Sequence, residues 1–496
     1  MFKRNISGVL LIAMLAGLFG ITGCNNDEAV DGTAGSDVTD SVETEAPELT
    51  DGLPTDLNYG GKTVNILNME YIVSGPKEYD PENSVHSQQA AIVQEANYLR
   101  RLAVEERLGV TINFIEQTEF NQIPSLVRQS VNAGSNDYDM VFSVATQQVT
   151  LAQEGMYVPI SDLKYVDLEK PWWNKEYIES VSVNIDNPYI LFGDITYNTI
   201  QRTCAVLFNK ELLEVRLGMT DEDLYEIVLD GEWTIDKMRE LASQVYEDDG
   251  NQINDVNDIH GIISFGANTF EWMAYSAGIE FTSRDEDGYP VLNLNTEKSV
   301  DLADKLLALL DGEYTYKTTN NGEQVGKFAD GKALFLANRL FMCDWGNIRE
   351  MKDDYGIIPM PKYDESVDGY HAVVENLVQW GGVTVTCTDL DMVSAVAESM
   401  AYEGYQRITP AYYETALKLK YTRGDDVDTE SQIIDIIAKG ARTDFLYMNK
   451  LDGLGSIYAK IQQAGQNTFA SFYAANELAA KGRLNDLIEN DMENNG

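Results

Sequence analysis

Lys62-Thr63-Val64-Asn65-Ile66-Leu67 alternates polar and apolar side chains, the period of a strand with one buried face. Behind it, Ile92, Ala96, Leu99 and Ala103 recur at helical spacing between Ser87 and Leu108, and Gly109 can end that helix in a left-handed cap. Val110–Ile115 repeats the strand pattern, a short helix runs to Gly134, and Tyr138–Ser143 is a third strand. Strand, helix, strand, helix, strand predicts a parallel α/β layer. A second α/β series starts near Thr203. Its first strand, Cys204–Phe208, feeds a helix opened by Asn209-Lys210-Glu211, and a helix over Trp233–Tyr246 follows with Thr234 as N-cap. Strands at Gly261–Phe265 and Val291–Asn295, a helix at Glu297–Leu310, a proline-ended strand at Tyr355–Pro361 and a strand at Val378–Thr386 complete the pattern. Most of the chain from Asp391 onward reads as helix.

The composition is that of a globular chain, 44% hydrophobic over 496 residues, enough for two or three domains. Its formal net charge is −45, with 81 acidic against 36 basic residues. Such a surface repels nucleic acid and anionic lipid, so neither is an expected partner. The N-terminus carries Lys3 and Arg4, then a short apolar run closed by Ile21-Thr22-Gly23-Cys24, with no further charge until Asp27. That is the order of a secretory signal, and the run is too short for a membrane span. Its end resembles a bacterial lipobox, which implies a signal peptide over 1–23 and a lipidated Cys24. Residues 25–58 hold ten Asp or Glu and no Lys or Arg, the composition of a self-repelling tether over 24–58. Cys204, Cys343 and Cys387 show no pairing by spacing and read as small buried hydrophobes.

Four sets of residues, in order, resemble bacterial extracellular solute-binding lipoproteins of ABC importers, the group related to maltose- and oligosaccharide-binding proteins. They are the lipobox with its acidic tether, Asp137-Tyr138-Asp139-Met140-Val141-Phe142, Ala205-Val206-Leu207-Phe208-Asn209-Lys210-Glu211-Leu212, and Phe328–Phe335 with Asp354–Pro361. The resemblance implies the type II periplasmic-binding-protein-like fold, two α/β lobes joined by a multi-crossover hinge around a central ligand cleft. Carried onto this chain, lobe 1 is 59–200 plus 355–408 and lobe 2 is 201–354 plus 409–496. Crossings are expected near Asp194–Arg202, Tyr355 and Thr409. The implied function is that of a lipid-anchored monomer, exported and facing outward, that captures a carbohydrate and delivers it to an ABC permease. Two other readings stay open, a surface polysaccharide-binding lipoprotein without transport and a binding protein for a non-sugar solute. An exported glycosidase needs only two placed carboxylates. However, His86, His260 and His371 have no metal-ligand spacing, and no nucleophile elbow or phosphate loop occurs.

Sugar rings call for flat apolar faces and planar polar groups. The candidates are Trp172, Trp272, Trp345 and Trp380, with Asn338, Arg339 and Asp344 on the segment that lines the cleft in the family. Extended, Trp172 and Trp173 cannot both face the ligand. Arg202 stands where maltose-binding relatives have an acid, which argues against maltodextrin and admits a ligand with a carboxylate or a bidentate hydroxyl pair; a plain salt bridge is the alternative. Glu247, Asp249, Asn251, Asp255 and Asp258 have the spacing of a calcium loop, with Gln252 at the usual turn glycine; the alternative is a solvated acidic loop. No cofactor is otherwise expected.

Overall fold

A computed structural model describes residues 49–69, 88–196, 198–344, 346–412 and 427–495. In chain order its strands are β1 Lys62–Met69, β2 Val110–Gln117, β3 Met140–Val144, β4 Cys204–Asn209, β5 His260–Ser264, β6 Thr282–Arg284 and β7 Pro290–Leu292. They continue as β8 Thr315–Lys317, β9 Ala333–Arg339, β10 Tyr355–Pro359, β11 Ala372–Val373, β12 Gln379–Val383 and β13 Ala441–Arg442. Two sheets organise them. The first has the order β12-β3-β1-β2, and the second β10-β4-β9-β5-β8. β1 pairs in parallel with both β2 and β3, as the alternating pattern predicts, whereas β12 joins β3 antiparallel. In the second sheet β5 is parallel to β8 and β9, and β4 is antiparallel to β9 and β10. β6 and β7 form a small antiparallel ribbon, and β11 pairs with β13.

β3, β4 and β9 are buried at every position. Strands covered on both faces by helices need continuous apolar runs, and these have them. The helix Gln88–Leu108 crosses from β1 to β2 and stops at Gly109, whose φ is +60°. A Cβ there would meet the Asn58 side chain at 2.6 Å, so glycine is required for space as well as for conformation. Thr234 caps the helix Ile235–Ala242 by accepting from Lys237 N–H, as predicted.

Thr50–Gly496 is one compact unit. Packing begins before Gly61: Leu53 is buried, and Arg107 donates to the Leu53 and Pro54 carbonyls while pairing with Asp51. The end of the predicted tether is therefore docked on lobe 1. Cys24 and the rest of residues 1–48 lie outside the described residues. No helix among the described residues is long and apolar enough to cross a membrane.

The described residues place three passes of the chain between the sheets. Leu191 bridges to Gly381 in the first sheet and Thr203 to Val374 beside the second, so the first crossing lies between them. The second differs from expectation. Tyr355–Pro359 pairs with β4 at the edge of the second sheet, and the chain crosses only over Val374–Val378, where Val378 accepts from Ala145 N–H. The edge position explains why a proline is tolerated there. The third crossing falls after the helix Leu390–Glu403, which packs on Gln88–Leu108, and before Val427–Lys439, which packs on β10. The terminal helix Phe469–Asn495, expected in lobe 2, touches both: Asp491 accepts from Tyr289 and Arg483 donates to Gln153.

Asp194 ties two crossings together by accepting from the Thr409 hydroxyl. Burial pushes its carboxyl from the usual 3.8 up to about 7, against the opposing pull of that hydrogen bond. The folded protein thus holds this proton to higher pH than the unfolded chain. Stability from the group is complete below pH ~4 and drains as pH rises through about 7. Asp194→Asn is expected to leave urea stability near pH 4 little changed and to raise it at pH 8 by roughly 4 kcal/mol. Equal effects at both pH values would contradict this.

Candidate functional site

β5, β8 and β9 are parallel, so their carboxyl ends share one edge of the second sheet, the place where open α/β sheets bind ligands. β4 is antiparallel and brings its amino end, preceded by Arg202 and Thr203, to the same edge. In the first sheet the carboxyl ends of β1, β2 and β3 and the amino end of β12 share an edge. Val374–Val378 runs from one edge to the other, so the crossing segment joins the two edges.

On the second-sheet edge the residues form one network. Glu375, 5% exposed, accepts from Arg202 Nη1 at 2.8 Å and from Arg339 Nη1 at 3.0 and 3.2 Å. Arg339 Nη2 donates to Asn321 and its Nε to Asn338 Oδ1, while Asn338 Nδ2 donates to Gln324. The Arg339 guanidinium lies 5.3 Å from the Trp272 ring, which stacks on Phe265 at 6.0 Å and 16°. Arg202 lies 5.7 Å from the Phe341 ring. The facing edge is amide-rich: Ser143 donates to Gln147, Gln147 to Asn121, and Asn68 to Glu116, with Gln379 buried at the start of β12. These are the flat apolar faces and planar hydrogen-bonding groups that a polyhydroxylated ligand requires.

Arg202, Arg339, Asn338 and Trp272 are therefore brought together. Trp172 and Trp380 are not. Trp172 is fully buried and, with Trp173, donates its indole N–H to the Glu398 carboxylate. The pair lies in a turn rather than an extended strand, so both indoles converge on one acceptor and both are structural. Burial raises the Glu398 carboxyl to about 7, opposed by those donors. Trp380 packs edge-on against Tyr177 in the core of the first lobe. Asp344 ends the short helix Leu340–Asp344, and Trp345 lies outside the described residues. Sequence reasoning missed Glu375, although a single acid within Ala372-Val373-Val374-Glu375-Asn376-Leu377-Val378 is a signal. It also missed Phe265, Phe341 and the amides opposite, which no local pattern marks.

The acidic loop is only partly gathered. Asp248, Asp249 and Asp258 place carboxylate oxygens within 4.8 Å of one another, but Glu247 turns away to pair with Arg216. Asp258 accepts from the amides of Asp249 and Asp255, and Gln252 takes a φ of +62° at the glycine position. The Lys327 ammonium donates to the main-chain carbonyls of Val256 and Asp258 at 2.9 and 2.6 Å rather than to the three carboxylates. A separate cavity of about 700 Å³, between lobe 1 and the terminal helix, is lined by Tyr157, Tyr189 and Asn449 and reaches none of the cleft residues.

Two such sheets joined by repeated crossings are the architecture of the type II class of two-lobe binding proteins. The family comparison carries this one step further. Residues 102–397, more than half of the chain, match the family of bacterial extracellular solute-binding proteins, and the chain belongs to that family. Solved structures share the fold. One is the galacto-N-biose/lacto-N-biose I-binding protein of Bifidobacterium longum bound to lacto-N-biose, with TM-score 0.54 and 13% identity over 86% of this chain and 98% of that one. Another is a cyclo/maltodextrin-binding protein with maltotetraose, TM-score 0.53 and 11% identity over 88% and 97%. A third is an ABC substrate-binding protein of Listeria monocytogenes with cycloalternan, TM-score 0.51 and 12% identity over 86% and 98%. None of the curated protein sequences matches this chain.

The network makes a specific stability demand. Glu375→Gln removes the charge that two guanidiniums share and is expected to cost about 3–5 kcal/mol in urea unfolding, the cost of stranding buried charge. A loss below ~1 kcal/mol would mean that water already screens the pair.

Proposed function

We propose that this chain is the substrate-binding component of an ABC importer, taking a carbohydrate between its lobes and releasing it to a permease. The observation that carries the reading is the pairing of an arginine, amide and tryptophan edge with an amide edge across the crossings. Closing the lobes around a polyol would replace its water contacts with these planar groups, and the crossings would absorb the motion. The fold neighbours whose titles name oligosaccharides support the sugar class. In this reading the protein is a monomer and binds without catalysis. It uses no cofactor for binding, and Asp248, Asp249 and Asp258 are where a structural calcium would sit. The lobes are taken as residues 50–196 with 379–412, and 203–373 with 427–442. Cys24 would carry the lipid that holds the receptor outside the cell beside its permease.

A thermal-shift screen over neutral and acidic mono- and oligosaccharides tests the binding claim. A ligand at 100 times its Kd is expected to add about 2.7 kcal/mol of stability, with no product formed. Silence across all sugars refutes the carbohydrate assignment, and released product refutes binding without turnover. For the anchor, Cys24→Ser is expected to abolish palmitate labelling and release the protein into the medium. Retention of label on the variant would refute lipidation at that position.

A further inference from the structure

One donor face at the cleft edge is unspent. Arg202 gives only Nη1 to Glu375, Nε is shielded from solvent without a partner, and Nη2 makes no hydrogen bond among the described residues. Nε–H and Nη2–H are the two parallel donors of the guanidinium fork, the pair whose spacing matches the two oxygens of a carboxylate. Folding leaves few buried donors unmatched, and one at a ligand edge points to an acceptor that arrives with the ligand.

The local charge balance agrees. Arg202 and Arg339 share the single carboxylate Glu375, two cations to one anion. The next ion pair, Lys450 with Glu271, balances itself. In a chain of net charge −45, this edge thus holds, among the described residues, one more cation than paired carboxylate. The same edge receives the start of the ten-residue helix Ala267–Ser276, whose N-cap, Gly266, offers no side-chain acceptor to the first-turn amides. The positive end of that helix adds to the preference for an anion. Trp272 and Phe265 beside it supply the apolar face for the ring that bears the anion.

We propose that the cleft selects an acidic carbohydrate, with a uronate carboxylate accepting from Nε and Nη2 of Arg202. This rests on the carbohydrate reading above and narrows it. Nε is covered in this conformation, so the carboxylate reaches it only when the crossing segments around Arg202 open.

The test compares oligogalacturonates and oligoglucuronates with their methyl esters, which keep the rings and remove the charge, and with neutral oligosaccharides and citrate, by calorimetry on the soluble receptor. The expected result is a uronate oligomer bound at least about tenfold tighter than its ester, with the advantage shrinking as salt rises. Arg202→Gln should bring the acid-to-ester ratio close to one, and Arg202→Lys, which keeps charge but loses the fork, should give an intermediate ratio. Circular dichroism confirms that each variant is folded. Equal binding of acid and ester, tighter binding of neutral sugars, or an unchanged ratio in folded Arg202→Gln overturns the proposal and leaves the carbohydrate reading standing. Binding of citrate alone, or of no sugar of either kind, overturns both.

Discussion

Glu375 sits on the segment that carries the chain from one sheet to the other, and its carboxylate accepts from Arg202 at the end of the first crossing and Arg339 at the end of β9. Its backbone N–H also donates to the Arg202 carbonyl at 2.9 Å. One residue therefore fixes two crossings and a strand end relative to each other. Because the group is buried, a carboxylate removed from water must have its lone pairs filled, and here the two guanidiniums fill them. The planes of Asn338, Asn321 and Trp272 then follow from the orientation of Arg339.

The aromatic residues divide by the same logic of burial. Trp172, Trp173 and Trp380 are inside lobe 1, where indole N–H groups need acceptors; Glu398 supplies two of them. Trp272 is equally buried, but its neighbour is a guanidinium on the cleft edge rather than a hydrocarbon wall. Exposure alone does not separate core tryptophans from recognition tryptophans here. What separates them is the polarity of the surface each ring supports.

The legible part of the fold was local. The alternation at Lys62–Leu67, the helical spacing to Leu108 with its glycine stop, and the Thr234 cap are determined by residues within a few positions of each other, and the structure realises all three. Sheet membership is not local. Tyr355–Pro359 reads as a strand, but only its pairing with β4 assigns it to the second sheet, and that pairing partner lies far away in sequence. Similarly, Trp172 and Trp173 were expected to diverge because neighbouring residues on a strand face opposite ways, and a turn removes that premise. At the site, Arg202, Asn338, Arg339 and Trp272 could be singled out by residue type and by likeness to a family. The amides of lobe 1 could not, since Asn and Gln at a strand end look the same whether they meet a ligand or water.

The contrast between the acidic surface and the cationic cleft edge bears on selectivity. At physiological ionic strength the field of an exposed charge fades within about 8 Å. The many surface carboxylates therefore weaken the approach of an acidic ligand without setting its bound energy. Inside the cleft the screening is lost, and hydrogen-bond geometry decides. There an ester or a hydroxyl can satisfy one donor of the Arg202 fork, whereas a carboxylate satisfies both and neutralises the charge that Glu375 leaves over. Discrimination then comes as much from what the wrong ligand leaves unpaired as from what the right one gains.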